Sequence, residues 1–185
     1  MTLKNLLLFY PKYINKIVFN TNKTLVIDIP YKHIHTVMTF LKKSSFFKYQ
    51  ILTDIVCTDY SRPKNRFKLT YVLTSIKYNN RIYLNAFLGE DCFPQSVESI
   101  FSVANWMERE VWDMYGIFFL GNQDLRRILT DYGFKGFPFR KDFPLNGFVE
   151  LRYDEEKKHL IYEPIELSQE IRVFDFLSNL QKEIN

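Results

Sequence analysis

The sequence predicts an α+β fold: a small, mostly antiparallel four-stranded sheet with flanking helices and a long irregular C-terminal arm. Three observations carry this. Residues 50–88 alternate apolar and polar with period two. Residues 32–43 and 96–115 repeat their apolar positions at helical spacing. Residues 105–154 hold five of the six glycines (Gly116, Gly121, Gly133, Gly136 and Gly147), mixed with arginine and aromatic side chains in no regular period.

Taken in order, residues 2–18 place Leu3, Leu6, Leu7, Tyr10, Ile14, Ile17 and Val18 on a helical stripe, bent or broken near Pro11. Thr24 to Ile29 reads as a short strand stopped by Pro30. Ile34, Val37, Met38 and Leu41 share one face of a helix. Gln50 to Thr58 is a strand with Ile51, Ile55 and Cys57 on one side. Ser61 to Asn65 is a turn. In 66–76, Phe67, Leu69, Tyr71 and Leu73 face one way. Asn79-Asn80 supplies the positive φ of a tight hairpin, and Ile82, Leu84, Ala86 and Leu88 point inward on the returning strand. Ser96 is placed to cap a helix running to Tyr115, with Gly116 in the C-terminal cap position. Asp154 to Lys158 is a charged turn, and Glu163 to Phe176 an extended arm. The boundary implied is a domain at 1–116, followed by a loop region and arm at 117–185.

Composition excludes several classes. With 46% hydrophobic residues the chain builds a real core. The run Leu6 to Tyr10 is too short to span a bilayer. No secretory or Arg-rich transit pattern opens the chain. Cys57 and Cys92 stand alone, outside any CxxC pattern, which argues for a reducing compartment and against a zinc or iron–sulfur site. Residues 1–107 carry 14 basic against 6 acidic side chains, and residues 108–185 carry 11 against 15. The early basic residues are mostly lysines spread singly, a solvated surface more than a nucleic-acid track.

Glu108, Glu110 and Asp113 are the candidates for acid/base or metal chemistry. Their simpler reading is a charged helix end making ion pairs. His33, His35 and His159 lack ligand spacing. No phosphate loop is present, and no nucleophile stands beside a base. The sharper signal is Glu108, Arg109, Glu110, Trp112, Asp113, Arg126, Arg127, Asp131, Arg140, Lys141, Asp142 and Arg152. Arginine suits planar pairing with carboxylates, and arginine with aromatics marks interfaces. The set reads equally as a surface that grips a partner and as an internal ion-pair network that folds the loop on itself. Arg127 is expected to pair across the interface. Phe174 and Phe176, in an acidic tail, also need cover.

The segments Glu108-Arg109-Glu110-Val111-Trp112-Asp113-Met114-Tyr115-Gly116, DLRRILTDYGF at 124–134 and RKDFP at 140–144 resemble the 30 kDa subunits of respiratory complex I. The likeness extends to ILTD at 51–54, to Gly147–Asp154 and to the arm at 163–176. It departs at Asn122, where such chains usually carry His or Lys, at Gln123 (Pro) and at Phe137 (His). The resemblance implies an accessory core subunit of the peripheral, matrix-side arm of NADH:ubiquinone oxidoreductase, on the mitochondrial inner membrane. It implies no catalytic centre and no cofactor in this chain, with FMN and iron–sulfur clusters in other subunits. It also implies contact with the large quinone-site subunit and its cluster-bearing neighbours. Phe, Tyr, Ile, Asn and Lys, which use AT-rich codons, make up 75 of 185 residues, as suits an organelle gene. Two other classes compete: a stand-alone enzyme using Glu108, Glu110 or Asp113, and an RNA-binding module using the basic N-terminal region.

Overall fold

The computed structural model describes residues 13–19, 24–60, 64–169 and 172. The chain divides into two compact units, Met1–Phe143 and Pro144–Asn185. Residues 117–143 therefore stay with the sheet, and the first unit ends well past the expected boundary at 116.

The first unit holds β1 (Lys16–Phe19), β2 (Leu25–Asp28), a 3-10 turn (Tyr31–His33), α1 (Ile34–Lys43), β3 (Ile51–Asp59), β4 (Phe67–Ser75), β5 (Asn80–Leu88) and α2 (Ala104–Tyr115). The strands form one sheet of five in the order β1-β2-β5-β4-β3. It is mixed, because β2 runs parallel to β5 while the other pairs are antiparallel. This corrects the expected four-stranded sheet within the same α+β class. The fifth strand is Lys16–Phe19, which pairs Lys16 with Asp28 through Phe19 with Leu25. A helical stripe was expected there, but β-branched Ile17 and Val18 go to the sheet edge instead. Ile14, also on that stripe, packs partly buried against the core just before the strand, and the stripe's residues before 13 lie outside the described residues.

The alternation in β4 and β5 is kept. Phe67, Leu69, Tyr71 and Leu73 lie against Ile82, Leu84, Ala86 and Leu88, and all are buried in one core with the inner face of α1. Asn79 takes the left-handed turn conformation (φ 46°). β3 departs from simple alternation. A bulge between Leu52 and Asp54 shifts the register, so Leu52 enters the core with Ile55 and Cys57, while Ile51 faces solvent. Asn85 ties three strands together: it accepts from Thr70 Oγ1 (2.9 Å) and donates to Asp28 Oδ1 (2.9 Å).

The helix expected from Ser96 begins at Ala104. Turns occupy 98–103, while Val97 and Phe101 still reach the core. Ser96 does not cap the helix, because its hydroxyl donates to Glu108 Oε2 (2.7 Å). Gly116 does close it, in the left-handed conformation (φ 76°), with its N–H on Trp112 O (2.8 Å).

The second unit contains a two-stranded antiparallel ribbon, β6 (Val149–Asp154) and β7 (His159–Pro164), joined by the charged turn 155–158. The ribbon takes in the first residues of the expected extended arm.

Candidate functional site

α2 carries its charge inward. Ala104, Glu108 and Val111 follow one another at helical spacing on the core side, with Arg109 and Asp113 flanking them. Glu108 and Asp113 are 0% exposed and Arg109 5%, whereas Glu110 faces solvent. Buried charges of this kind need partners. Here the partners come from the irregular segment after the helix and from the turn before it.

Glu108 accepts three hydrogen bonds: from Ser96 Oγ, from Val97 N–H (2.7 Å) and from Asn122 Nδ2 (2.8 Å). None of these donors is charged. Burial pushes its carboxyl above the ordinary value, against the pull of those three bonds, and nearby Glu98 adds to the rise. Asn122, one of the departures noted in the sequence, thus binds a buried carboxylate.

Asp113 is the centre of the arrangement. Oδ2 accepts three successive backbone N–H groups, from Ile128 (3.1 Å), Leu129 (2.8 Å) and Thr130 (2.9 Å). Oδ1 accepts from Arg127 Nη1 (2.7 Å) and from Thr130 Oγ1 (2.5 Å). Burial alone would raise the carboxyl. The bonds from Thr130, Arg127 and Leu129 outweigh it and hold Asp113 well below the usual carboxylate range.

The arginines complete the clamp. Arg127 also donates to Gly136 O (3.1 Å) and lies 5.6 Å from the ring centres of Trp112, Phe134 and Phe137. Arg109 donates to the carbonyls of Arg126 (3.2 Å) and Arg127 (3.3 Å). Arg140 Nε donates to Tyr115 O (2.6 Å), and its guanidinium stacks 4.7 Å from Phe137. At the end of β3, buried Asp59 takes a forked pair from Arg66 (3.1 and 2.9 Å) and the Lys141 N–H (3.0 Å). Arg66 reaches on to Glu90 and to Asp142 (2.7 Å), and holds the Asp142 carboxyl below its usual value.

Gly116 is where the clamp leaves no room. A Cβ there would stand 2.6 Å from the Phe137 ring and 2.8 Å from an Arg140 nitrogen, at positive φ. Gly116→Ala is expected to destabilise the free chain by about 1–3 kcal/mol, from left-handed strain and displacement of the ring. A melting temperature equal to wild type would show that the ring yields freely.

The sequence-predicted residues thus separate. Glu108, Arg109 and Asp113 are buried and hold the chain's own loop, as in the internal-network reading. Arg127 and Arg140 are partly buried and committed to the same loop, with Trp112 partly buried beneath Arg127. Glu110, Arg126, Asp131, Lys141, Asp142 and Arg152 are exposed. Arg126 pairs with Asp124 (3.0 Å), and Arg152 with Glu163 across the ribbon (2.7 Å). Phe174 and Phe176 lie outside the described residues. Sequence reasoning missed Asp59, Arg66 and Thr130, read Ser96 as a helix cap and noted Asn122 only as a departure from the family pattern. The clamp leaves large apolar side chains outside: Leu129, Tyr132 and Phe139 are 62%, 89% and 56% exposed.

The family described as the respiratory-chain NADH dehydrogenase, 30 Kd subunit, matches residues 27–149. NADH-ubiquinone oxidoreductase subunit 9 of Acanthamoeba castellanii is 44% identical over 175 residues, 94% of this chain and 89% of that one. NADH dehydrogenase (ubiquinone) iron-sulfur protein 3 of Beta trigyna is 50% identical over 146 residues, 79% of this chain and 76% of that one. Among solved structures, the trypsin-resistant fragment (1-134) of Nqo5 superposes with a TM-score of 0.58 at 29% identity, over 68% of this chain and all of the fragment. A chain of an archaeal membrane-bound sulfane sulfur reductase shares the fold, with a TM-score of 0.67 at 23% identity over 77% and 84% of the two chains. This chain belongs to the family of 30 kDa subunits of the respiratory-chain NADH dehydrogenase.

Proposed function

We propose that, within NADH:ubiquinone oxidoreductase, this chain is an accessory core subunit of the peripheral arm that supports assembly and stability of the quinone-reducing module. The observation that carries the reading is the Asp113 clamp. Three backbone N–H groups, a hydroxyl and a guanidinium fix the loop from inside, while Leu129, Tyr132 and Phe139 are held out to solvent. Ordering a loop in order to display apolar side chains suits a surface that a partner covers. The partners are the large quinone-site subunit and the neighbouring iron–sulfur subunits.

FMN and the iron–sulfur clusters belong to those other subunits, and electron transfer and proton translocation to the whole complex. In this chain Cys57 is buried, and burial pushes its thiol up, away from the thiolate a cluster ligand needs. The chain sits on the matrix side of the mitochondrial inner membrane. Among the described residues no helix is long and apolar enough to cross a membrane.

Affinity isolation of the tagged chain from mitochondrial membranes tests the reading. It is expected to bring down the peripheral-arm subunits together with NADH:ubiquinone reductase activity. The chain purified alone is expected to show no flavin or iron–sulfur absorption. Recovery of the chain without its neighbours, or a stoichiometric cofactor band in the pure chain, would refute it.

A further inference from the structure

The ribbon β6–β7 has two unlike faces. Its register places Val149, Leu151 and Tyr153 opposite Pro164, Tyr162 and Leu160. Successive strand residues point to opposite sides, so these six share one face, and none is charged. The other face carries Glu150, Arg152 and Asp154 against Glu163, Ile161 and His159. There Arg152 forks onto Glu163 at 2.9 and 2.7 Å. On the apolar face Val149, Leu151, Tyr153, Leu160 and Tyr162 are each 49–59% exposed.

A two-stranded ribbon is marginal in water by itself and gains stability when a face is covered. Half-exposed side chains of this size present roughly 500 Å² of apolar surface, the size of a functional patch on a monomer. The area decides between occupants. Two copies stacked on this face would each bury about that much, short of the roughly 800 Å² per partner of a stable pair. A neighbouring subunit held by other contacts as well does not need the ribbon to supply the whole interface. The covering surface must itself be uncharged, because a charge placed on this face would lose its water and find no counter-ion.

We propose that the face formed by Val149, Leu151, Tyr153 and Leu160 docks on an uncharged apolar surface of a neighbouring subunit of the complex, with the Arg152–Glu163 face left in water. The inference rests on the reading of the chain as a peripheral-arm subunit, and it says which side of the ribbon is covered.

Hydroxyl-radical footprinting of the intact complex and of the free full-length chain, read by mass spectrometry, tests it. Tyr153 and Leu160 are expected to lose most of their labelling on assembly, while His159 on the opposite face keeps its own. If the chain is present in the isolated complex but Tyr153 and Leu160 label as they do in the free chain, the docking face is wrong and the subunit reading stands. Protection of His159 to the same degree as Tyr153 overturns it too, as does protection that grows with concentration in the free chain, which would make the occupant a second copy. If the chain does not co-isolate with other subunits, the subunit reading falls and the docking proposal with it.

Discussion

Asp113→Ala is expected to destabilise the free chain by about 3–5 kcal/mol, the cost of breaking a buried ion pair from one side. In a chain of this size each kcal/mol moves the melting temperature by about 2–4 °C, so the shift is on the order of 10 °C. The substitution removes the acceptor for three consecutive N–H groups, a hydroxyl and a guanidinium at one stroke. Asp113→Asn separates charge from shape. Its amide nitrogen donates instead of accepting, so one side of the clamp is left with donors facing a donor. The pH dependence supplies a second reading. Asp113 is held below its unfolded value of about 3.9, so its stabilisation is present above that pH and lost as pH falls through the folded value. Glu108 is raised by burial and works in the opposite sense: it favours the fold below its unfolded value, and that contribution is lost as pH rises through the folded value. The difference between wild type and Asp113→Asn therefore isolates Asp113. Denaturant unfolding between about pH 3 and 7 is expected to show the gap narrowing toward acid. Parallel curves would mean that Asp113 carries no linked proton.

The sheet was legible in the sequence because its signal is local. Period-two alternation marks Phe67 to Leu73 and Ile82 to Leu88 without knowledge of partners, and Asn79 and Gly116 announce their backbone by residue type. The errors arise where packing overrides a local pattern. Ile17 and Val18 fit a helical stripe as well as a strand, and only pairing with Val26 and Ile27 decides between them. Thr53 gives no sign of the bulge that exchanges Ile51 for Leu52. The site was half legible. Arginine and acid crowd 108–154, but a charged helix end is ordinarily a solvated one. Nothing in the residue types says that Glu108, Arg109 and Asp113 point inward. Their inward turn depends on partners 14 to 18 residues ahead: donors at Asn122 and 127–130 for the two acids, and the carbonyls of Arg126 and Arg127 for Arg109. Long-range satisfaction of this kind leaves no period to read.

Arg127→Ala and Arg126→Ala make the sharpest test, because the two residues are adjacent and alike in the sequence but opposite in the structure. Arg127 is mostly buried, with its side chain 17% exposed, and it neutralises an Asp113 side chain that is 0% exposed. It also satisfies the Gly136 carbonyl and lies among three aromatic rings. Its removal leaves Asp113 charged and uncompensated, so the free chain is expected to lose about 3–5 kcal/mol. Arg126 has its side chain 68% exposed and reaches only as far as Asp124, two residues away. A pair so exposed is worth little, and Arg126→Ala is expected to leave the free chain within about 0.5 kcal/mol of wild type. An effect of Arg126→Ala on the yield of assembled complex would then report contact with a partner. Had Arg127 paired across an interface, as the sequence suggested, its variant would melt like wild type and only assembly would suffer. Thermal melting of the two free variants beside wild type distinguishes the cases. An unchanged Arg127→Ala melt would show that the clamp does not hold the loop, and with it would go the argument that the loop is ordered from within before any partner arrives.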